Sequence, residues 1–456
     1  MRATVYVALL GWPLLVLVLF SLLGPRRAVI ASMILGWLFL PIASLKIASG
    51  IPEYNKITAT CFATLLGIVV FDLRRLMSFR PRWADLPMAV WCLSPFASSV
   101  TNDLGAYDGV TAIYYQAVEW GLPYLFGRLY CSNLRGMGLL AFGVFLGGLI
   151  YIPFCLFEIR MSPQLHTWVY GFHQHFFNQS YRFGGWRPTV FMHHGIMVGL
   201  WMAMASLAGI WLWMNGIVRS LFRIPLPWFL GPLLITTVMC KALGGLVLLV
   251  IGLGVLMAMR WGAPRAAILT LALFAPLYCA IRIPKVWSGS ELTDVSAVVS
   301  TERASSLKFR MMNEDMLLER AKMRPLFGWA RWGRARVRDD VGRDISITDG
   351  LWIIVFGNQG LVGLFAMMGV FLVPLAGFWK AIRPSAWKHR LVAPAASMCV
   401  MVLLFLVDNV FNDMNHPAYM LAVGGLACLT ANVVRKPRPD LAPPAPAEKV
   451  QWIPQS

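Results

Sequence analysis

Charge is what this sequence has least of. Only 13% of its 456 residues are Asp, Glu, Lys or Arg, against roughly 25% in an ordinary soluble domain. That shortage, beside a hydrophobic share of 58%, excludes a water-soluble globular chain. Acids are scarcer than bases, 21 against 40, which leaves a net charge of +19. The excess does not point to nucleic acid, because the basic residues lie in short clusters between apolar runs, where they set membrane topology. None of the eight cysteines (61, 92, 131, 155, 240, 279, 399, 428) belongs to a CxxC pair, so neither a zinc site nor a disulfide framework is suggested. No small-residue cleavage site follows the apolar residues 4–23; "GPRR" follows instead, and we read a retained first span. A convincing internal repeat, the mark of many transporters, is also missing.

What the chain does have is apolar runs of the length that crosses a hydrocarbon layer of roughly 30 Å. Spans are expected near 4–23, 28–45, 57–71, 84–100, 109–127, 137–156, 189–214, 226–240, 243–259, 266–283, 350–375, 392–409 and 417–433. The fold class is all-α: a polytopic transmembrane helical bundle of about 12–13 spans with one long, partly helical extracytoplasmic loop. Residues 1–433 form a single transmembrane domain, and 434–456 a Pro-rich, polar, disordered cytoplasmic tail. If the spans alternate, 20 of the 40 Lys and Arg fall on one side, against 7 in the short segments of the other; the remaining 13 lie in the long loop 282–349. Long loops translocate regardless of charge, so the basic side is cytoplasmic. With 13 spans the N-terminus is outside, with 12 it is inside, and the functional loops keep their side in both cases.

Two outer loops carry most of the chemistry, about 157–188 and 282–349. In the second, residues 305–323 read as a helix with Arg310 and Glu314 four apart on one face, stopped by Pro325. Arg187, Lys241 and Arg310 are cations that could converge on an outer surface, where arginine forks and a lysine point charge suit a lipid diphosphate; headgroup anchoring and loop ion pairs are the plainer reading. Five of the seven histidines lie between 166 and 194. His166, His173, His175, His193 and His194 invite a metal reading, but a third ligand of suitable geometry is not visible, and proton transfer by His193 or His194 is the better functional reading. Surface or satisfied histidines remain the alternative. The first loop is also dense in aromatics, among them Trp168, Tyr181 and Trp186, which could stack on sugar rings or form an interfacial belt. Glu119 sits near the middle of a span, where an acid needs a partner, and Asp408 to His416 read as the outer end of span 12.

Asp349 opens the segment "TDGLWIIVFGNQGLVGL" (348–364). A carboxylate before an apolar run caps a helix, and the glycines at 357, 360 and 363 allow close helix approach. The same carboxylate at a membrane surface is also a catalytic candidate.

The spacing here resembles the signature of the O-antigen ligase and polymerase family of bacterial membrane glycosyltransferases: a His, then Asn, Ser or Gln, nine residues, then G-x-x-G. Asp349 and Gly350 take the first two places, 351–359 are the nine, and Gly360 and Gly363 close it. "FRMMNEDMLLERAKMRPLFGWA" (309–330) is similar to the family's Arg, helix and Pro-x-x-Gly turn, "GGWRPTVFMHHGIMVG" (184–199) to its other Arg segment, and "CKALGGLVLLVIG" (240–252) to its Ser-Arg-Gly segment, with Lys241 in the cation's place. Asp349 departs from the family's His, which suits a polymerase better than a strict ligase. The resemblance implies a metal-independent inverting transfer without a cofactor, at the outer face of the bacterial inner membrane. The donor would be a glycan on undecaprenyl diphosphate and the acceptor another lipid-linked glycan, or lipid A core in a ligase. Membrane lipid and other polysaccharide-assembly proteins are the further partners expected, and no nucleic acid. Arg187, Lys241 and Arg310 would hold the diphosphate, Asp349 would orient or deprotonate the acceptor hydroxyl with His193 or His194 as rival bases, and Trp168, Tyr181 and Trp186 would bind sugar. A ligase for O-antigen or protein is the enzyme alternative, and a polysaccharide or lipid transporter or flippase the alternative of another class.

Overall fold

A computed structural model describes residues 2–261, 264–289, 291, 294 and 301–435. It is an all-α bundle in which, among the described residues, strand is confined to three two-stranded hairpins. The helices run α1 (Ala3–Leu23), α2 (Pro25–Phe39), α3 (Lys56–Met77), α4 (Leu86–Val100) and α5 (Gly105–Gln116), which passes through a π turn (Ala117–Gly121) into α6 (Leu122–Tyr130). After them come α7 (Leu134–Met161), α8 (Leu165–Tyr170), α9 (Gly195–Met214), α10 (Pro227–Met239), α11 (Leu243–Trp261), α12 (Pro264–Arg282), α13 (Thr301–Lys322), α14 (Leu351–Ala381), α15 (Ala393–Phe411) and α16 (Pro417–Arg435). Each expected span overlaps one of these helices or the continuous α5–α6 stretch, although the span expected at 28–45 is helical only to Phe39 and that at 189–214 only from Gly195, and α8 and α13 occupy the two long loops. Eight of them (α1, α3, α7, α9, α11, α12, α14 and α15) are long and apolar enough to cross a membrane. By contrast α2 and α4 have 15 residues each and α10 has 13, short of the ~20 that a straight crossing takes. The chain is thus a multi-pass helical bundle in which shorter helices fill in between the long ones. The tail beyond Arg435 lies outside the described residues, as do 290, 292, 293 and 295–300 of the long loop.

The centre of the bundle is α9 and α15, buried along almost their whole length, whereas α1 turns most of its surface outward. In lipid, helices associate through close packing of small residues rather than through a hydrophobic drive. Gly199 of α9 shows why: a Cβ there would collide with the Cβ of Ala242, and one on Gly245 would sit 2.9 Å from the Gly199 carbonyl oxygen. This close approach brings the start of α11 against the start of α9.

The glycines of the opening motif do something more specific than ease helix packing. α14 is broken at Gly360, whose φ of 64° and ψ of −160° belong to a region that only glycine occupies readily. A break frees backbone groups that lipid cannot satisfy. Here the turn Pro325–Ala330 satisfies them: Leu361 N donates to Pro325 O (2.7 Å), Val362 N to Leu326 O (3.2 Å), Trp329 N to Gly357 O (2.8 Å) and Ala330 N to Asn358 O (2.9 Å). Asn102 of the α4–α5 link donates to Gly328 O at 2.9 Å, and Ser98 of α4 to the carbonyls of Phe327 and Asn358. Gly328 and Gly360 both take positive φ at this contact. The Pro-x-x-Gly turn and the G-x-x-G segment are therefore two halves of one joint.

α13 is clamped to α12 by buried charge. Arg282 Nε donates to Glu314 Oε1 at 2.6 Å and its Nη2 to Asp315 Oδ1 at 2.9 Å, while the Tyr278 hydroxyl donates to Glu314 at 2.9 Å. The expected pairing of Arg310 with Glu314 along α13 is therefore not made. Glu314 turns inward to a buried guanidinium, and Arg310 is left to face Asp349.

Candidate functional site

A cavity of about 700 Å³ opens at the end of the bundle where α9, α11 and α14 begin. That is within the roughly 300–1,000 Å³ of a small-molecule site. Its walls come from segments far apart in sequence: the first long loop, the starts of α9 and α11, Arg310 of α13, Ile347–Asp349, the α15–α16 link and Glu119 of the π turn.

The first long loop is fixed by a buried acid. The Glu158 carboxylate, near the end of α7, accepts from Leu165 N (3.0 Å), Thr189 N (2.8 Å) and Val190 N (2.7 Å). Gln174 Nε2 donates to Val190 O and Met192 O at 3.1 and 3.0 Å, and Lys56 Nζ to Phe191 O at 2.8 Å. These bonds pin the backbone on either side of Arg187 and the histidines. Arg187 itself is 9% exposed, its Nε has no hydrogen-bond partner, and its Nη2 donates at 3.4 Å to Lys241 O. Burial, helped by the nearby Arg182, pulls the guanidinium down to about 10, so it stays charged at neutral pH. A buried cation without an acid is costly unless an anion completes it.

Lys241 is one residue away from the wall that Ala242 and Leu243 form. It holds a positive φ of 52° in the tight α10–α11 link, and its Nζ donates to Phe183 O at 2.9 Å. It braces the Tyr181–Trp186 hairpin behind Arg187 and is not itself in the lining. Arg182, which the sequence reading passed over, is in the lining, as are Gln179 and His175.

Across the cavity, Arg310 Nε stands 3.5 Å from Asp349 Oδ2, and its Nη1 donates to Phe411 O at 3.2 Å. Burial raises the Asp349 carboxyl and Arg310 offsets part of the rise. Gly350, not Asp349, takes the N-cap place of α14, and no side chain makes a cap bond there. The capping role considered for Asp349 is therefore not the one it plays.

His194 is the residue that caps. Its Nδ1 accepts from Ile196 N at 3.0 Å at the start of α9, and Nε2 lies 3.4 Å from Gln179 Oε1. The neutral ring then carries its proton on Nε2 and has no lone pair left for a substrate. Burial and the neighbouring His175 and Arg187 push its pKa down to about 3. As a general base His194 is poorly placed, which corrects that reading. His193 also lines the cavity, its pKa lowered by burial, then by His175 and Lys56. Among the described residues no group of three His, Cys, Asp or Glu side chains is arranged to hold a metal ion.

Trp168, Tyr181 and Trp186 do not line the cavity. Trp168 is 52% exposed on α8, where it packs on Phe157 and donates from Nε1 to Gln164 Oε1. Tyr181 and Trp186 pack edge to face on one another across the hairpin, with ring centroids 5.1 Å apart. These contacts give the trio a structural role in the loop, and the aromatic side chains that do reach the cavity are Phe183 and Trp37.

The α15–α16 link, which the sequence places at the outer end of span 12 without a role, adds to the cavity. Asn412, Asp413, Met414 and Asn415 all line the cavity. Asp413 is exposed into the cavity, and the protein around it raises its carboxyl to about 6 by desolvation. No Lys or Arg pairs with it among the described residues. Asn415 Nδ2 donates to Glu119 Oε1 at 3.3 Å, giving the mid-span acid the polar partner it needs. The signal was present as the polar run "DNVFNDMN" at the mouth of an apolar helix.

The lining thus holds three sets of charge. Arg182 and Arg187 are neighbouring cations with Lys241 behind them, Asp413 and Glu119 are neighbouring acids, and Arg310–Asp349 is an ion pair. Such a site can hold an anionic leaving group on its cations and take a proton on a carboxylate. Neither a protein-family model nor a curated protein matches the chain.

Proposed function

We propose that the protein is a glycosyltransferase of the bacterial inner membrane that polymerises glycan units carried on undecaprenyl diphosphate, working at the outer face. The observation that carries this reading is the convergence of Arg187, Arg310 and Asp349, from three separated segments, on one polar cavity at the end of a membrane bundle. The Arg187 guanidinium there is buried, its Nε has no hydrogen-bond partner, and among the described residues no acid pairs with it, which suits a diphosphate.

In the proposed reaction an acceptor hydroxyl attacks the anomeric carbon of the donor sugar. The new C–O bond forms as the bond to diphosphate breaks, and diphosphate leaves with the electron pair. That leaving group is a weak base, so it needs charge stabilisation rather than a general acid. Arg187 and Arg310, with Arg182, supply the charge, and Lys241 holds the hairpin that carries Arg182 and leads into Arg187. The hydroxyl proton goes to a carboxylate. Asp349, tied to Arg310, is suited to orienting the acceptor; Asp413, which forms no ion pair among the described residues and has a raised pKa, is suited to accepting the proton.

The test is elongation of lipid-linked oligosaccharide by the purified protein in detergent, without an ion gradient. Activity there excludes pure transport. In cells, loss of a polymerase leaves single repeats, whereas loss of a ligase leaves long chains unattached, which separates the two enzyme readings.

A further inference from the structure

A second cationic concavity, of about 800 Å³, lies at the far end of the bundle. α9 and α11 both start at the outer cavity. The 20 residues of α9 carry the chain about 30 Å away from it, to Trp213 and Met214 in the wall of this concavity. Arg219 follows from the link after α9, Arg260 from the last turn of α11, and Lys388 from the link between α14 and α15. Three cations from three separate segments therefore meet here, and no carboxylate lines the concavity or pairs with any of them among the described residues.

Two of them are tied to the surrounding chain. The Arg260 guanidinium donates from Nη1 to Met214 O at 3.4 Å. Lys388 follows Trp387, which is fully buried and donates from Nε1 to Ile382 O at 2.9 Å. Around the same end, Trp228, Trp261 and Phe222 are 75%, 80% and 77% exposed, as aromatics are at a membrane–water interface. Like charges gathered at headgroup depth without an acid repel one another unless an anion joins them.

We propose that this concavity binds a phosphate group, with Arg219, Arg260 and Lys388 as its ligands and Trp213 at its wall. Such a group comes either from the headgroup of an anionic phospholipid or from a soluble phosphate. The site is independent of the glycosyl-transfer reading, since it shares no residue with the outer cavity.

The test uses the full-length protein in detergent. Retention of phosphatidylglycerol and of phosphatidylethanolamine is measured by native mass spectrometry, and binding of inorganic phosphate by titration. The triple variant Arg219→Ala, Arg260→Ala, Lys388→Ala is compared with a control, Arg74→Ala, Arg80→Ala, Arg135→Ala, which removes the same charge at the same end outside the concavity. Retention of phosphatidylglycerol that falls at least about tenfold in the triple variant and not in the control supports the site with a lipid source. Phosphate binding lost in the same selective way supports it with a soluble source. Equal loss in both variants, or no loss in either, overturns it.

Discussion

Replacing Gly360 by alanine should undo the joint between α14 and the Pro325–Ala330 turn. Two costs can be read from the structure. The backbone at φ 64°, ψ −160° is strained for any L residue, by about 1–3 kcal/mol. The added Cβ would also overlap the carbonyl carbon and oxygen of Leu326, which are backbone and cannot swing aside. Relief requires the Pro325–Ala330 turn to lift off, with loss of its four backbone hydrogen bonds to α14, each worth about 1 kcal/mol net. The sum is on the order of 5 kcal/mol, a large share of the roughly 5–15 kcal/mol by which proteins are stable. Thermal unfolding in detergent should show a large loss. Amide exchange should rise at Trp329, Ala330, Leu361 and Val362 before it rises in α9 or α15. Gly254→Ala, where a Cβ would meet nothing within 4 Å, is the control and should leave both unchanged. If Gly360→Ala unfolds like Gly254→Ala and those four amides stay protected, the joint has been misread.

Other expectations follow from the cavity. Asp413→Asn should lower elongation by about 10²–10⁴-fold, the usual range for a proton acceptor. The wild-type rate should climb as pH rises through about 6, where the Asp413 carboxylate forms, and then level off; the Asn variant should lack that rise, and an unchanged pH profile would remove Asp413 from the role. His194→Asn preserves a capping side chain, so it should keep activity within about tenfold; a loss of 10²-fold or more with folding intact would restore His194 as a base. Glu158→Ala leaves three backbone N–H groups without their acceptor, and should raise amide exchange across 187–192 and lower activity with it. Protected amides there would mean that Glu158 does not set the loop.

The helices were legible because lipid imposes one rule, a long apolar run, and α9 or α15 can hardly read otherwise. The joint was less legible. Gly360 and Gly328 look alike as packing glycines or as turn glycines, and only their meeting across more than thirty positions shows that one breaks a helix and the other docks on the break. The site was legible where type and place were both unusual, as with Arg187 before a proline at a span entrance. It was not legible where a contact decided the role. Arg310 and Glu314 are correctly spaced for a helical pair, yet Arg282, out of register with both, takes Glu314. His194 was read as a base because a histidine beside an arginine suggests one, and its cap bond to Ile196 N cannot be seen in sequence. Asp413 was read only as the end of a span, because a polar run at a helix mouth is also what solvent exposure produces.

The measurement closest to the central claim is in vitro elongation of undecaprenyl-diphosphate-linked oligosaccharide by purified Arg187→Ala and Arg310→Ala proteins that insert and melt like the wild type. Each loses charge stabilisation of the leaving diphosphate, and the rate should fall by about 10²–10³-fold, with Arg187→Lys recovering part of it. Long-chain product made at the wild-type rate by either alanine variant would contradict the account.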